Sequence, residues 1–437
     1  MRNFKLWATG AMAISAALLI AGCGGKSSTS SASVRLLNAT VSHANLSLLV
    51  NSNSVVGPVP TDTVSNFVNA DSGSPALQIN DAGTGTALVT TSPSLASSQH
   101  YAVVAYESGG TLRTAVIQED NAAPASGTAA LRIFDAATDA GAVDVYVTDP
   151  TTNLSTISSP TFSFGAATQA QSGAFLSFAP GTYRVRVVGA GNIADVRLDI
   201  PAVVLASQQL ATVFLTPTTG GTLANGGVLL QQGTFAASRN TNARVRLAAA
   251  VTSGAAVSVS AGASAVATNV VAPTVTAYTT VPAGAALNIS VNGASVAAPA
   301  TQLTAGSDST LLVYGSAAAP SVNLIADDNH VPTAASNYKI RLLNGLNATV
   351  AGPPPPLTMD VNFAVVASNV PAGSASPYAV IGASTSTQLE VFSPTKVTPL
   401  YTSAASTTPL AIPGGAVFTL FIFGDVNSPV SVLRKDR

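Results

Sequence analysis

Two pairs of adjacent carboxylates stand at matching places in the chain and are suited to bind a metal ion. Glu119-Asp120 and Asp327-Asp328 each follow an apolar, strand-like run. Carboxylate oxygens are ligands that calcium prefers, and they can hold it between adjacent domains. The other interpretation is a solvated turn leaving a strand, which Gln231-Gln232 at the equivalent place favours. The turn is our first interpretation, with calcium at Glu119, Asp120, Asp327 and Asp328 as the alternative.

The three histidines do not form a metal-binding pattern. His43, His100 and His330 lie far apart and match no metal-ligand spacing. The chain has one cysteine, so a site built from several thiolates is excluded. We interpret the histidines as surface or turn residues and expect no metal, no cofactor and no catalytic residue.

The segment Gly189–Ala194 matches the dinucleotide-binding pattern G-x-G-x-x-A and follows a strand-like run. That pattern needs a helix next, because the helix N-terminus holds the pyrophosphate. The residues that follow alternate between polar and apolar and then meet Pro201. The sequence therefore predicts a hairpin turn here.

Cys23 is the residue to which a modification can be assigned. Arg2 and Lys5 precede an apolar run from Ala8 to Ile20, which is too short to span a bilayer and typical of a signal peptide. The run ends in Leu19-Ile20-Ala21-Gly22-Cys23, which resembles the bacterial lipobox, whose cysteine receives acyl chains such as palmitate. We expect a signal peptide over 1–22, lipidation of Cys23 and a flexible tether over 23–33.

Composition narrows the location and the class of partner. Charged residues make up 8% of the chain and the net charge is -1, so electrostatics give no case for nucleic acid. Gly24 follows Cys23, where an aspartate would resemble an inner-membrane retention signal. We expect an outer membrane lipoprotein that faces the periplasm or the cell surface.

A short apolar strand containing an arginine recurs four times at intervals of about 100 residues, a length that suits a small β-sandwich. Its copies are Val34–Asn38, Leu131–Asp135, Val245–Leu247 and Ile340–Asn344. The arginines, at 35, 132, 246 and 341, are expected to lie on an outward face or to pair with a carboxylate. We predict β-sandwiches over 34–124, 128–234, 243–332 and 338–437.

The strand pattern is clearest in the second unit. Polar and apolar residues alternate in Tyr183–Val187 and in Asp195–Ile200, which predicts strands with one buried face and places Arg184 and Arg186 outward. An insertion is expected around Pro150–Pro160, and Thr216–Ala243 is predicted to be a loop plus linker. We expect an all-β fold with seven or eight short strands per unit, in antiparallel sheets.

The second unit resembles the bacterial family catalogued as domain of unknown function 4397. The resemblance rests on Leu131–Asp135, Ala142–Val147 and Ala179–Val187 and covers roughly 131–231; the other units match less well. It implies tandem immunoglobulin-like β-sandwiches in exported and anchored proteins. It implies no activity.

The sequence therefore favours a lipid-anchored cell-envelope protein that acts as a non-enzymatic scaffold or as a binding or adhesion module. Faces rich in threonine and serine would suit envelope polysaccharide or protein, and the N-terminal lipid would supply contact with the membrane. Two alternatives stay open. One is a polysaccharide-active envelope hydrolase, which would need two carboxylates in one cleft; the other is a purely structural spacer.

Overall fold

The structure is a computed structural model that describes residues 30–252, 254–350, 352–405 and 408–437. The predicted signal peptide, Cys23 and most of the predicted tether lie outside the described residues. Among those described, no helix is long and apolar enough to cross a membrane. The predicted fold class, tandem immunoglobulin-like β-sandwiches, is confirmed, because the described strands form four pairs of sheets and one further two-stranded sheet.

The first two sandwiches contain nineteen strands. The first holds β1 (Ser31–Asn38), β2 (Asn45–Val50), β3 (Asn53–Pro60), β4 (Thr63–Val64), β5 (Val68–Asp71), β6 (Leu77–Asp81), β7 (Ala87–Thr91), β8 (His100–Ser108) and β9 (Thr111–Gln118). The second holds β10 (Ala129–Asp135), β11 (Val143–Thr148), β12 (Phe162–Phe164), β13 (Gln171–Ser172), β14 (Leu176–Phe178), β15 (Gly181–Gly189), β16 (Asn192–Leu205), β17 (Leu210–Thr216), β18 (Asn225–Leu230) and β19 (Phe235–Ser238).

The other two sandwiches repeat the arrangement. The third holds β20 (Asn242–Val251), β21 (Ala256–Ala261), β22 (Ser264–Val271), β23 (Thr274–Val275), β24 (Thr279–Pro282), β25 (Leu287–Val291), β26 (Ala294–Val296), β27 (Asp308–Ser316) and β28 (Ala319–Asp327). The fourth holds β29 (Asn337–Asn344), β30 (Leu357–Val361), β31 (Ala364–Val370), β32 (Ser374–Ala375), β33 (Ala379–Gly382), β34 (Ser384–Thr387), β35 (Leu389–Phe392), β36 (Tyr401–Thr402), β37 (Leu410–Ile412), β38 (Val417–Asp425) and β39 (Ser428–Lys435). Three short 3-10 helices lie at Thr138–Ala140, Leu154–Thr156 and Ser403–Ala405.

Each sandwich has a first sheet, which contains the strand with the repeated arginine, and a second sheet. In the first sheet the arginine strand pairs in parallel with the long late strand, as β1 does with β8, β10 with β17, β20 with β27 and β29 with β38. All other strand pairs in the described part of the chain are antiparallel. Antiparallel sheets were expected, so this parallel pair adds to the predicted topology.

The two sheets of a sandwich bury their residues differently. Strands of the second sheet alternate between buried and partly exposed positions, as in β21 and β30. The long late strand of the first sheet is buried along most of its length, as in β17 and β38. A strand buried at successive positions has both faces covered, so something other than the second sheet must cover its outer face.

The outer faces of the first sheets cover one another in two pairs. A shared apolar core joins the first and second sandwiches through residues such as Leu37, Tyr106 and Phe214. Another joins the third and fourth sandwiches through Leu312, Leu343, Phe421 and Phe423, together with alanines and Val275. The chain is therefore built as two pairs of sandwiches, each packed through its first sheets.

The two pairs meet around the segment 328–333, here called the central junction. Gly109 of the first sandwich accepts a hydrogen bond from Thr333, and buried Asp139 of the second accepts one from the backbone of Val331. The backbone of Gly221 approaches so closely that a Cβ there would lie 2.6 Å from the nitrogen of His330. Since φ at Gly221 is also positive, +88°, only glycine fits without strain.

Four local expectations are corrected. Thr216–Ala243 contains β18 and β19, because these residues extend the first sheet next to β17. Arg186 is buried, since the insertion between β11 and β12 covers it and accepts a hydrogen bond from it through the carbonyl of Thr152. The units contain nine, ten, nine and eleven described strands. Ser31–Ser33, assigned to the tether, lie in β1 and pair with β5.

Candidate functional site

The arginine that recurs in each first sheet stacks on an aromatic ring of its own sandwich. The guanidinium carbon lies 4.6 Å from the ring centre of Phe67 for Arg35, and 4.5 Å from that of Phe175 for Arg132. The same distances are 4.5 Å for Arg246 over Tyr278 and 4.6 Å for Arg341 over Tyr378. Each of the four aromatic residues lies in the short link between the two strands that pair with the arginine strand, so the repeated arginine has a repeated structural partner.

The third and fourth sandwiches exchange two ion pairs across their interface, here called the junction ion pairs. Arg341 of the fourth sandwich binds Asp327 of the third, and Arg246 of the third binds Asp436 of the fourth. All four side chains are at most 3% exposed. Each arginine is therefore paired with a carboxylate of the other sandwich.

Two threonines complete the hydrogen bonding. Thr310 Oγ1 accepts from Arg246 Nε (2.8 Å) and donates to Asp327 (2.7 Å). Thr419 Oγ1 accepts from Arg341 Nε (3.2 Å) and donates to Asp436 (2.6 Å). The hydroxyl of Tyr278 also donates to Asp327 (2.6 Å). The buried carboxylates thus receive hydrogen bonds as well as charge, which such groups need away from water.

The electrostatics keep Asp327 ionised. Burial raises the pKa of this carboxyl, but Arg341 and Arg246, with the hydroxyls of Tyr278 and Thr310, outweigh burial and lower the pKa below its usual value of 3.8. The pKa of Arg341 is raised, since the favourable interaction with Asp327 and its other partners outweighs the opposing effect of burial. A permanently ionised pair of this kind suits a structural role better than proton transfer near neutral pH.

The first and second sandwiches also meet through their closing segments, but with other contacts than those between the third and fourth sandwiches. Arg35 makes a two-pronged ion pair with Glu119 of its own sandwich and donates to the carbonyl of Gly233 in the second (2.6 Å). The backbone nitrogen of Gln232 donates to Glu119 (2.7 Å), and Gln231 exchanges hydrogen bonds with Asn121. Gln231 has no charge, so this junction holds one buried ion pair where the other holds two.

The structure separates the members of each predicted carboxylate pair. Glu119 and Asp327 are 3% exposed, so the interpretation as a solvated turn is wrong for them. Asp120 contacts His100 (3.0 Å), and Asp328 contacts Lys339 (2.5 Å) and His330 (2.6 Å). Among the described residues, no group of three or more histidine, cysteine or acidic side chains is arranged to hold a metal ion. Calcium binding there stays a prediction.

The other residues singled out from the sequence make contacts within the protein. Arg35, Arg246 and Arg341 pair with carboxylates, as one of the two expectations stated. Half-buried Arg132 instead bonds to Thr212 (3.0 Å). Gly189 pairs with Asn192, which confirms a hairpin turn in the G-x-G-x-x-A segment. The three histidines lie apart; His330, which was interpreted as incidental, bonds to the carbonyl of Thr218 (2.9 Å) at the central junction.

A cleft of about 790 Å³ opens beside the junction ion pairs, and sequence reasoning did not find it. Three sandwiches line it: the β15–β16 hairpin of the second, the segment 276–280 of the third and the closing segment 434–436 of the fourth. Arg244, Arg246 and Tyr278 also line it, and each guanidinium carbon lies 4.5 Å from the centre of the Tyr278 ring. These residues are far apart in sequence, so no local motif marks the cleft.

The sequence model of the family described as domain of unknown function 4397 matches residues 32–146 and 243–351. The match covers half of the chain, and the chain belongs to this family. The expected family is thus confirmed, although the matched residues are the first and third sandwiches with the opening strands of the second and fourth. The sequence motifs that predict the resemblance lie mainly in the second sandwich.

Comparison with solved structures finds distant likenesses. A crystal structure of a candidate cell adhesion protein from Bacteroides uniformis is 13% identical and covers 47% of this chain and 99% of its own, with a TM-score of 0.24. The Bacillus anthracis TIE protein is 9% identical and covers 90% of this chain and 68% of its own, with a TM-score of 0.14. A search of the curated proteins finds no match.

Proposed function

We propose that this protein is a lipid-anchored, non-enzymatic binding module of the bacterial cell envelope, attached to the outer membrane through Cys23. The lipobox-like segment Leu19–Cys23 supports the anchor, and the polar residues after it would let the folded body stand off the lipid. Several acyl chains on one cysteine give stable attachment.

One structural observation carries the non-enzymatic part of the proposal. The carboxylates singled out as candidate chemistry are engaged by cations, Glu119 by Arg35, Asp327 by Arg341 and Asp328 by Lys339. A glycoside hydrolase needs a pair of carboxylates that face one substrate. Here the paired charges stabilise the sandwiches and their junctions, which leaves loops and the clefts between sandwiches for binding.

The anchor is tested by mass spectrometry of the N-terminal peptide after expression in a bacterial host that exports lipoproteins. We expect an acylated Cys23 and recovery of the protein with the outer membrane. A Cys23→Ala variant should lose the acyl chains and leave the membrane fraction. An unmodified Cys23 in the wild-type protein would remove the anchor from the account.

Binding is tested by a pull-down from envelope extracts, with the mature chain carrying Cys23→Ser as bait. We expect specific enrichment of an envelope polysaccharide or protein over a heat-denatured bait. If no envelope component is enriched over the control, a purely structural spacer is favoured over a binding module.

A further inference from the structure

The outer face of the second sheet in the fourth sandwich carries two carboxylates side by side. Leu357, Met359 and Val361 of β30 are buried in the core, so the residues between them point outward. Asp360 of β30 lies directly opposite Glu390 of β35. The β-carbons of directly opposed residues lie about 5 Å apart, and like charges at such positions are destabilising.

These two charges are not neutralised within the protein. Among the described residues, no lysine, arginine or histidine nitrogen lies within 4.0 Å of the carboxylate of Asp360 or Glu390. Thr402 Oγ1 donates to Glu390 at 3.4 Å, which is a long hydrogen bond. Both acidic residues are partly exposed, so the sheet presents two negative charges to its surroundings.

Exposed apolar side chains belong to the same hairpin as Asp360. Val365 of β31 lies directly opposite Asp360 and is 62% exposed. Phe363, in the turn between β30 and β31, is 75% exposed and has a φ of +65°. Bulky residues rarely adopt a positive φ, and glycine or asparagine is usual in such turns. Together with Glu390, these residues are here called the acidic face.

Other sandwiches of this chain build the same part of the sheet without these residue types. In the place of the two opposed acids, the first sandwich has Leu49 opposite Gln78, and the third has Ser260 opposite Asn288. In the place of the turn phenylalanine, the first sandwich has Ser52, with a φ of +68°. Neither the sheet nor the turn therefore needs the acidic face in order to form.

We infer that the acidic face binds a basic, partly apolar segment of a protein partner. A lysine or arginine of that segment lies between Asp360 and Glu390, where its charge offsets the repulsion of the two carboxylates. The apolar side chains beside it pack on Phe363 and Val365 and remove them from water. The inference rests on the proposed binding function and names the class of partner.

The chemistry of the acidic face favours a protein over a cationic polysaccharide or a metal ion. The hydroxyls of an amino sugar need hydrogen-bonding partners when they leave water, and Phe363 and Val365 offer none. Calcium takes roughly six to eight oxygen ligands, whereas this face supplies two carboxylates. Protein interfaces, in contrast, are enriched in aromatic side chains with polar groups around them.

The test is a selection from random dodecapeptides displayed on phage, with the mature chain carrying Cys23→Ser as the bait. We expect the selected peptides to share a lysine or arginine next to apolar residues. Isothermal titration calorimetry with one selected peptide, made synthetically, should show affinity that falls as salt rises.

The variant D360N/E390Q should weaken binding of that peptide by roughly tenfold or more, because it removes both charges that hold the basic side chain. Its melting temperature should equal or exceed that of the wild type, since the repulsion between the acids is gone. The matched variant D71N/D149N removes two exposed carboxylates of the first and second sandwiches and should bind as the wild type does.

The apolar part of the acidic face is tested separately. The variant F363S/V365S introduces the residues that the first sandwich has at the equivalent places, Ser52 and Ser54. It should weaken the peptide by roughly fivefold or more, because apolar area is no longer buried on binding. Its melting temperature should not fall, since both side chains are largely exposed.

The inference is overturned if no peptide is selected, if the selected peptides lack basic residues, or if D360N/E390Q and D71N/D149N bind alike. A lower melting temperature of D360N/E390Q would also overturn it, since the two carboxylates would then serve the fold. Tighter binding of chitosan oligomers or calcium chloride than of the peptide, lost in D360N/E390Q, would replace the protein partner by that ligand.

Failure here is separable from failure of the proposed function. Capture of the same envelope component by the wild type and by D360N/E390Q would uphold a binding module and remove this class of partner. Peptide binding by a protein whose Cys23 is found unmodified would uphold the acidic face and remove the anchor.

Discussion

At the scale of single residues, Asp135 of the second sandwich is a buried carboxyl at a position where the first and fourth sandwiches have an asparagine. Asn38 and Asn344, at the ends of β1 and β29, each donate two hydrogen bonds to backbone carbonyls through the side-chain amide. Asp135, at the equivalent end of β10, accepts a bond from the backbone nitrogen of Ala137 (3.0 Å). Burial raises the pKa of Asp135 to about 7, so its ionisation opposes folding.

The substitution Asp135→Asn should stabilise the protein, and more at pH 8 than at pH 5. The folded pKa lies above the unfolded value of 3.8, so the wild type loses stability as pH rises from about 4 to about 7. Each pKa unit corresponds to about 1.4 kcal/mol. Thermal unfolding at the two pH values checks the gain. Asn38→Asp should destabilise the protein, and more at pH 8 than at pH 5. A gain in stability from Asp135→Asn that is the same at both pH values would contradict the explanation.

The arginine–aromatic stack makes a second prediction at this scale. Phe67→Tyr should be tolerated, because two other sandwiches use tyrosine in the equivalent stack. Phe67→Leu keeps an apolar side chain and loses the ring beneath Arg35, which should cost about 1–2 kcal/mol. Chemical denaturation of the two variants compares them directly. Equal stability of the leucine and tyrosine variants would show that Phe67 serves only to fill space.

At the scale of elements, the closing segments of the sandwiches connect partners. Asp327→Asn should destabilise the third and fourth sandwiches by roughly 3–5 kcal/mol, since it leaves Arg341 buried without its charge partner. Asp149→Asn is the matched control, because Asp149 is exposed and its loss should cost much less. Denaturant unfolding checks both variants. Similar losses would mean that the junction ion pairs contribute little.

The late strands of the first sheets make a prediction about apolar packing. Phe421 on β38 points away from its own core and lies fully buried in the core shared with the third sandwich. Phe421→Ala should cost about 3–5 kcal/mol and loosen this pair of sandwiches. Val365→Ala, at a position that is 62% exposed, should change stability by less than about 0.5 kcal/mol. Hydrogen exchange in β27 and β38 reports where the loss occurs.

Much of this architecture could be predicted from sequence, and the reasons are local. The repeated arginine strand, the turn before β15 and the alternation in β16 depend on neighbouring residues, so periodicity shows them. The pairing of Arg246 with Asp436 joins residues far apart in the chain, and no local pattern specifies it. The sequence analysis did not identify the aromatic residues that stack on the arginines. Thr276-Ala277-Tyr278 and Ser376-Pro377-Tyr378 nevertheless share a pattern, since each has a tyrosine two residues after a hydroxyl side chain at equivalent places of two sandwiches.

A second missed signal lies in the late strands. Leu210–Leu215 and Phe418–Phe423 are apolar almost without interruption, whereas strands of the second sheets alternate. Continuous apolar strands are typical of sheets covered on both faces. The sequence therefore predicts that the outer faces of the first sheets are covered. It does not predict which sandwich covers which.

At the scale of the whole molecule, the candidate binding cleft exists only if the second, third and fourth sandwiches form one body. Its walls come from the second, third and fourth sandwiches, and Arg434 of the fourth is fixed by the backbone of the third. The glycines at 220 and 221 allow the second sandwich to approach the backbone of residues 308 and 330 closely. The repeat thus produces a composite surface that no single sandwich has.

Small-angle X-ray scattering of the mature chain with Cys23→Ser tests this central claim most directly. A compact body of this length should give a radius of gyration of about 22–25 Å and a single-peaked distance distribution. A string of four separated sandwiches would give roughly 40 Å or more and an extended tail. The account predicts the first result, and the second would contradict both the paired packing and the composite cleft.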